Sequence, residues 1–198
     1  MTAREPARAR WNRRFAAGGF EPFPEDPAQW LVDHDALLRP LAPGRALDVA
    51  CGNGRNALHL ARLGFEVDAV DVSDFAIERL RAEAARRGLA IDARLADLEL
   101  EPLQQGVYDV VVDVNYLQRD LFPALEGALR PCGVLVFETF ARPHLEELGQ
   151  RMNPAYVLAT NELVRAFPSL VVKHYHEGVV LRDGAARGVA GLVAQRIA

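Results

Sequence analysis

The chain of 198 residues carries a net charge of −4, with 50% of its residues hydrophobic and 25% charged. That length supports one domain with a sizeable core and excludes two full ones, and the acidic balance gives no general attraction to nucleic acid. No apolar run approaches the roughly 20 residues of a membrane helix, and Met1-Thr2-Ala3-Arg4-Glu5-Pro6 lacks the apolar stretch of a secretory signal, so a cytoplasmic protein is expected.

Residues 1–44 hold Pro22, Pro24, Pro27, Pro40 and Pro43, and are expected to form a helical cap preceding a domain of residues 45–198. Arg4, Arg8, Arg10, Arg13 and Arg14 face only Glu5, which reads as a solvated arm or as an anion-attracting flap over a site. Ala46–Cys51 is a short apolar strand broken by Asp48, and Arg55–Leu63 a helix with Ala57, Leu60 and Ala61 on its buried stripe. Phe65–Val72 is the second strand. Ser73 or Asp74 caps the next helix, whose apolar face is Ala76, Ile77, Leu80 and Ala84 and whose stop is Gly88.

Ile91–Leu95 is a third strand, and Tyr108–Val114, apolar almost throughout, a fourth covered on both faces. Asp120 opens a helix through Arg130 with Pro123 in its first turn. Gly133–Phe140 is a fifth strand and Thr160–Phe167 a helix. Leu170–Leu181 and Gly188–Ile197 are β-rich and too close for a crossover helix, so they pair as an antiparallel hairpin. Five βα units followed by a hairpin predict an α/β fold: a doubly wound, Rossmann-like seven-stranded sheet, mostly parallel with one antiparallel strand.

Cys51 and Cys132 form no CxxC and are too few for a zinc or disulfide scaffold, so no metal is expected. His174 and His176 sit two apart on one face of a strand, a spacing that suits a metal pair or, better, the polar face of an edge strand.

Ligands of such sheets bind beyond the carboxyl ends of the strands at the switch point. Gly52 and Gly54 follow the first strand, where absent side chains admit close approach, and the next helix points its N-terminal amides at the same place. Asp71 ends the second strand, where an acid can accept ribose hydroxyls. Asp97 follows the third, placed to accept an adenine amine. Gly52-x-Gly54-x-x-Ala57 also fits a dinucleotide fingerprint. Against that stand Asp48, which repels a pyrophosphate and suits a cation, and the hairpin, which replaces the second mononucleotide half of a dehydrogenase.

Leu47-Asp48-Val49-Ala50-Cys51-Gly52-Asn53-Gly54 resembles the first motif of class I methyltransferases that use S-adenosylmethionine (SAM). Val70-Asp71-Val72-Ser73 resembles the second, Ala96-Asp97-Leu98 the adenine-contacting turn, and Tyr108-Asp109-Val110-Val111 and Leu129-Arg130-Pro131-Cys132-Gly133 the later motifs, with Cys132 where glycine is usual. The likeness covers about residues 45–140. Trp11-Asn12-Arg13-Arg14-Phe15, Asn115-Tyr116-Leu117-Gln118-Arg119, Phe137-Glu138-Thr139-Phe140 and Asn153-Pro154-Ala155-Tyr156 are similar to the tellurite-resistance (TehB-like) branch.

The resemblance implies methyl transfer from SAM, leaving S-adenosylhomocysteine, to a small-molecule acceptor such as a thiol, an oxyanion or a chalcogen compound, by a monomer or homodimer. It implies a donor site of Asp48, Ala50, Gly52, Gly54, Arg55, Asn56, Asp71, Val72, Asp97, Leu98, Asn115 and Trp11. Asn115 and Tyr116 are expected near the transferred methyl, and Arg119, Arg13 and Arg14 as holders of an anionic acceptor. Trp11 and Phe15 are expected as a lid over the adenosine or as a staple of the N-terminal helix. In-line displacement needs mainly alignment and exclusion of water, so no general base is obligatory. A non-catalytic binder of SAM or S-adenosylhomocysteine and a nicotinamide-dependent (NAD) oxidoreductase are the competing functions.

Overall fold

Seven strands are joined in one sheet of order β3-β2-β1-β4-β5-β7-β6. They are β1 (Arg45–Val49), β2 (Glu66–Asp71), β3 (Ile91–Leu95), β4 (Tyr108–Val114), β5 (Leu129–Phe140), β6 (Leu170–Arg182) and β7 (Ala185–Arg196). The computed structural model describes residues 7–16 and 26–198; Arg4, Pro22 and Pro24 of the expected cap lie outside them. Strands β1 to β5 are parallel, and β7 alone runs against its neighbours. The order reverses between β1 and β4, which makes that pair the switch point.

Both faces of the sheet are covered. On one face Ala46, Val67, Val110, Val112 and Val193 pack with α4 (Arg55–Arg62), α5 (Asp74–Arg87) and the N-terminal Trp30, Leu31 and Leu38. On the other, Leu47, Val49, Val111, Leu135 and Phe137 pack with α6 (Phe122–Ala128) and with Leu163 of α8 (Glu162–Ala166). Side chains alternate along each strand, so β1 and β4 feed both cores and stay apolar except at their acids. The N-terminal segment contributes α1 (Ala7–Ala16), α2 (Gln29–Val32), α3 (Asp35–Leu38) and a 3₁₀ turn, more pieces than the expected one or two helices. Trp30 covers Gly191 of β7, where a Cβ would lie 2.7 Å from the indole.

Several boundaries differ from the sequence reading. No helix joins β3 to β4; residues 96–107 form a turn and loop, so the third βα unit is absent. α6 ends at Ala128 and β5 begins at Leu129, because Cys132 adopts a left-handed φ of 65° and lets the strand continue through Pro131. The hairpin is tighter than the six-residue link read from sequence. Asp183 (φ 47°) and Gly184 (φ 74°) alone connect β6 and β7, the positive-φ pair that a two-residue hairpin favours. A short helix, α7 (Pro143–Glu146), follows β5 unforeseen. β6 is the sheet edge, and His174 stacks on His34 with ring centroids 4.6 Å apart. Among the described residues no group of three metal-ligating side chains is assembled, and no helix is long and apolar enough to cross a membrane.

Candidate functional site

The turn from Ala50 to Gly54 closes over the carboxyl end of β1. Ala50 (φ 49°), Gly52 (φ 54°) and Gly54 (φ 79°) all take left-handed backbone, which turns the chain from strand to helix within five residues. Asp71 organises it: the Gly52 amide donates to one carboxyl oxygen at 2.8 Å and the Ser73 amide to the other at 2.8 Å. Each oxygen keeps a further lone pair for a ligand hydroxyl. Burial pushes the Asp71 carboxyl up, against the pull of those amides. Asp48 is buried and accepts the Ala57 amide at 2.9 Å, bonding the first turn of α4. Burial raises its pKa to about 7.

The two glycines differ in what they admit. A Cβ on Gly52 would meet only the Phe15 ring, at 3.4 Å, so Phe15 of α1 lies over this position. A Cβ on Gly54 would fall 2.2 Å from Leu80, so that glycine serves the packing of α4 on α5 rather than ligand approach.

Helix α1 lies over the turn. Phe15 is buried, and Arg14 sits 5.0 Å over the Trp11 ring. Asn12 bridges to α5: it accepts the Ser73 hydroxyl at 2.7 Å and donates to Asp74 at 3.2 Å. Arg8 forms a bidentate pair with Asp74, its shortest contact 2.7 Å. Helix α1 is thus fastened to α5 through Arg8 and Asn12.

On the far wall, Asp97 accepts the Glu99 amide at 3.0 Å, and the Leu98 carbonyl accepts Gln118 at 3.4 Å. The Tyr116 hydroxyl donates to Gln118. Its pKa is pushed up by burial, then by the negative charge of Asp113, Glu99, Asp97 and Asp71. Tyr116 therefore shares the charge of Asp71 with the β1 turn. Asp113, unremarked in the sequence reading, is 1% exposed, and one of its carboxyl oxygens has no hydrogen-bond partner.

Three expected site residues are engaged elsewhere. The Asn56 oxygen accepts the Ala28 amide at 2.9 Å, tying down the N-terminal segment. Arg55 pairs with Asp183 at 3.1 Å, reaching the hairpin tip. Arg119 grips Glu162 at 2.6 Å and the Ala155 and Val157 carbonyls, fixing the segment before α8, so it is no free anion holder.

A second hollow opens beside Asn115, lined by Gln29, Arg55, Glu138, Arg182 and Arg187. Asn115 takes a left-handed φ of 62° and donates its amide to the Glu138 carbonyl at 2.8 Å. Glu138 is 4% exposed and receives Arg182 at 3.0 Å. Burial raises the Glu138 pKa, and Arg182 opposes the rise. Glu138 and Arg182 are given no role in the sequence reading, although a signal is present. Glu138 and Asp113, like Asp48, are acids inside otherwise apolar strands.

Residues 46–133 match the family model of the methyltransferase domain. The ubiquinone biosynthesis O-methyltransferase of Methylocella silvestris is 40% identical over 98 residues, 50% of this chain and 38% of that protein. That of Xanthomonas euvesicatoria pv. vesicatoria is 32% identical over 141 residues, 66% of this chain and 57% of that protein. The chain therefore spans about two-fifths to three-fifths of the length of these relatives. In fold it is similar to TehB from Haemophilus influenzae (TM-score 0.73, 19% identity, 94% of this chain and 67% of that one). It is equally similar to the structure described for conversion of a disulfide bond into a thioacetal group during echinomycin biosynthesis (TM-score 0.73, 21% identity, 97% and 93%).

Proposed function

We propose, from the premise that residues 46–133 are a methyltransferase domain, that the chain transfers a methyl group from SAM to a small polar acceptor. One observation carries the reading: Asp48, Asp71 and Asp113 are buried around the β1–β4 switch point, the first two accept backbone amides, and one buried oxygen of Asp113 has no hydrogen-bond partner among the described residues. A buried acid needs a counter-charge, and SAM brings an ammonium and a sulfonium. A dinucleotide brings a pyrophosphate, which the same acids repel.

Bound SAM supplies an electrophilic methyl already activated by its sulfonium. The protein's part is to bind, align and keep water out. Asp71 takes the ribose hydroxyls through its free lone pairs, Asp97 takes the adenine amine, and the turn of Ala50 and Gly52 with Val72 and Leu98 shapes the walls. The segment of residues 1–44 acts as a cap, with Trp11 and Phe15 of α1 shielding the donor. Asn115 and Tyr116 stand where donor and acceptor sites join.

The acceptor hollow beside Asn115 carries Arg55, Arg182 and Arg187 against Glu138 and Asp183. Those walls suit a small polar or anionic acceptor: a thiol, an oxyanion or a chalcogen compound. The Trp11–Phe15 and Asn115–Arg119 motifs support the TehB-like branch, as the shared fold does at the level of architecture.

Calorimetry with S-adenosylhomocysteine and with NADH tests the donor: the first is expected to bind and the second not, and the reverse result would restore the oxidoreductase. Labelled SAM offered with thiols, oxyanions, phenols and amines then tests turnover. Binding without transfer to any of them would leave a non-catalytic binder.

A further inference from the structure

Resting on the donor reading above, we infer that Asp113 is the acid that ionises when the cationic donor binds, so that the crevice gains this negative charge only with its ligand. Asp113 lies on β4 in register with Val49, one residue before the Ala50 turn, at the strand pair where the sheet order reverses. It is 1% exposed, and a buried carboxyl oxygen has no hydrogen-bond partner. A carboxyl oxygen so placed has no donor among the described residues, which favours the neutral acid until a cation arrives.

Its surroundings point the same way. From β1 it feels the charge of Asp48, and it acts on Tyr116 together with Asp71 of β2 and with Asp97 and Glu99 from the loop after β3. The β5 neighbour in register is the apolar Phe137, and Glu138 next to it is turned to Arg182. The cation on this side, Arg55, acts on Asp48 and Glu138 and is paired with Asp183. Burial, and after it the charge of Asp48, pushes the Asp113 carboxyl well up. A sulfonium has no hydrogen to donate, so charge alone rewards it. On binding, the Asp113 O–H bond breaks, its proton passes to solvent, and the carboxylate meets the cation.

The test is calorimetry of SAM binding at pH 8 in two buffers of different protonation enthalpy, phosphate and Tris. Because burial also raises the Asp48 and Asp71 carboxyls, the variants, not the wild type alone, assign the released proton. The wild type is expected to release a proton. Asp113→Asn is expected to release none and to bind SAM about tenfold more weakly. Asp48→Asn is expected to keep the release. A wild-type enthalpy independent of buffer overturns the inference even if no variant folds. So does release that survives Asp113→Asn or vanishes with Asp48→Asn. If the wild type binds no SAM at all, the donor reading itself falls, and this inference with it.

Discussion

The two ends of the sheet both bury aspartates, and they treat them in opposite ways. At the amino end, Asp68 receives the Tyr108 hydroxyl at 2.6 Å and Arg45 at 2.8 Å, while Asp109 takes the Arg45 amide at 2.8 Å and pairs with Arg130. At the carboxyl end, Asp71 and Asp48 hold only backbone amides, and Asp113 leaves an oxygen empty. One end is closed by cations from the chain. At the other, no arginine is hydrogen-bonded to Asp48, Asp71 or Asp113 among the described residues, and this is the end where doubly wound sheets bind their ligands. Burial alone does not separate the two groups of acids; their partners do.

The sharpest way to break this contrast is to remove the charge at each end and follow stability with pH. Asp48 has a pKa of about 7 against 3.8 for the ordinary group. Below about pH 4 both folded and unfolded chains hold its proton. Between that value and about 7 the folded protein keeps a proton the unfolded chain has lost, so stability falls as pH rises through the window. The fall is at most roughly 4 kcal/mol. Asp48→Asn should abolish it, leaving the variant more stable than the wild type at pH 8 in urea unfolding. Asp68→Asn should do the opposite at neutral pH, costing about 3 kcal/mol because Arg45 and Tyr108 lose a charged partner. If both variants lose stability alike at pH 8, the two ends are not different in kind.

Asp71→Ala addresses function rather than stability. Losing a charge-assisted acceptor should weaken S-adenosylhomocysteine binding by about 1–3 kcal/mol in calorimetry. Unchanged affinity would take Asp71 out of the donor site and reduce it to a brace for the Gly52 turn.

The same contrast explains what was legible in the sequence. The seven strands, the antiparallel C-terminal hairpin and the glycine turn follow from local patterns of apolar runs, turn residues and spacing, whereas the strand order and the choice of β7 as the reversed strand come from the structure. The extents of β3 and β4 were readable because turn residues and polar stretches bound each apolar run. The absent helix after β3 and the early end of α6 were not, since loop and weak helix share composition there and the left-handed Cys132 has no side-chain signature. Within the candidate site, Asp48 precedes the glycine turn and Asp71 ends β2, positions that a pattern of residues reveals. Asn56, Arg55 and Arg119 look available in a list of residues, yet their partners Ala28, Asp183 and Glu162 are distant in the chain. Pairings of that kind are set by the fold, which composition and spacing do not encode.

The hairpin rim offers the smallest expected effect and the cleanest separation of donor from acceptor. Arg182 reaches Glu138 at 3.0 Å, and both side chains are largely buried, 14% and 5% exposed. Breaking a buried pair is costly when the survivor stays charged. Burial raises the Glu138 pKa and loss of Arg182 raises it further, so uptake of a proton offsets part of that cost. Arg182→Ala should therefore cost about 1 kcal/mol at the acid end of the stability profile, and more as rising pH forces the carboxyl to ionise against its buried setting. Donor binding should not change, since Asp71 and the Gly52 turn lie on the far side of β1. The KM for a transferred-methyl acceptor should rise, because the hollow beside Asn115 loses one of its cationic walls. An unchanged acceptor KM with weakened S-adenosylhomocysteine binding would mean that the rim belongs to the donor site, and that the carboxyl end of the sheet holds one binding region instead of two.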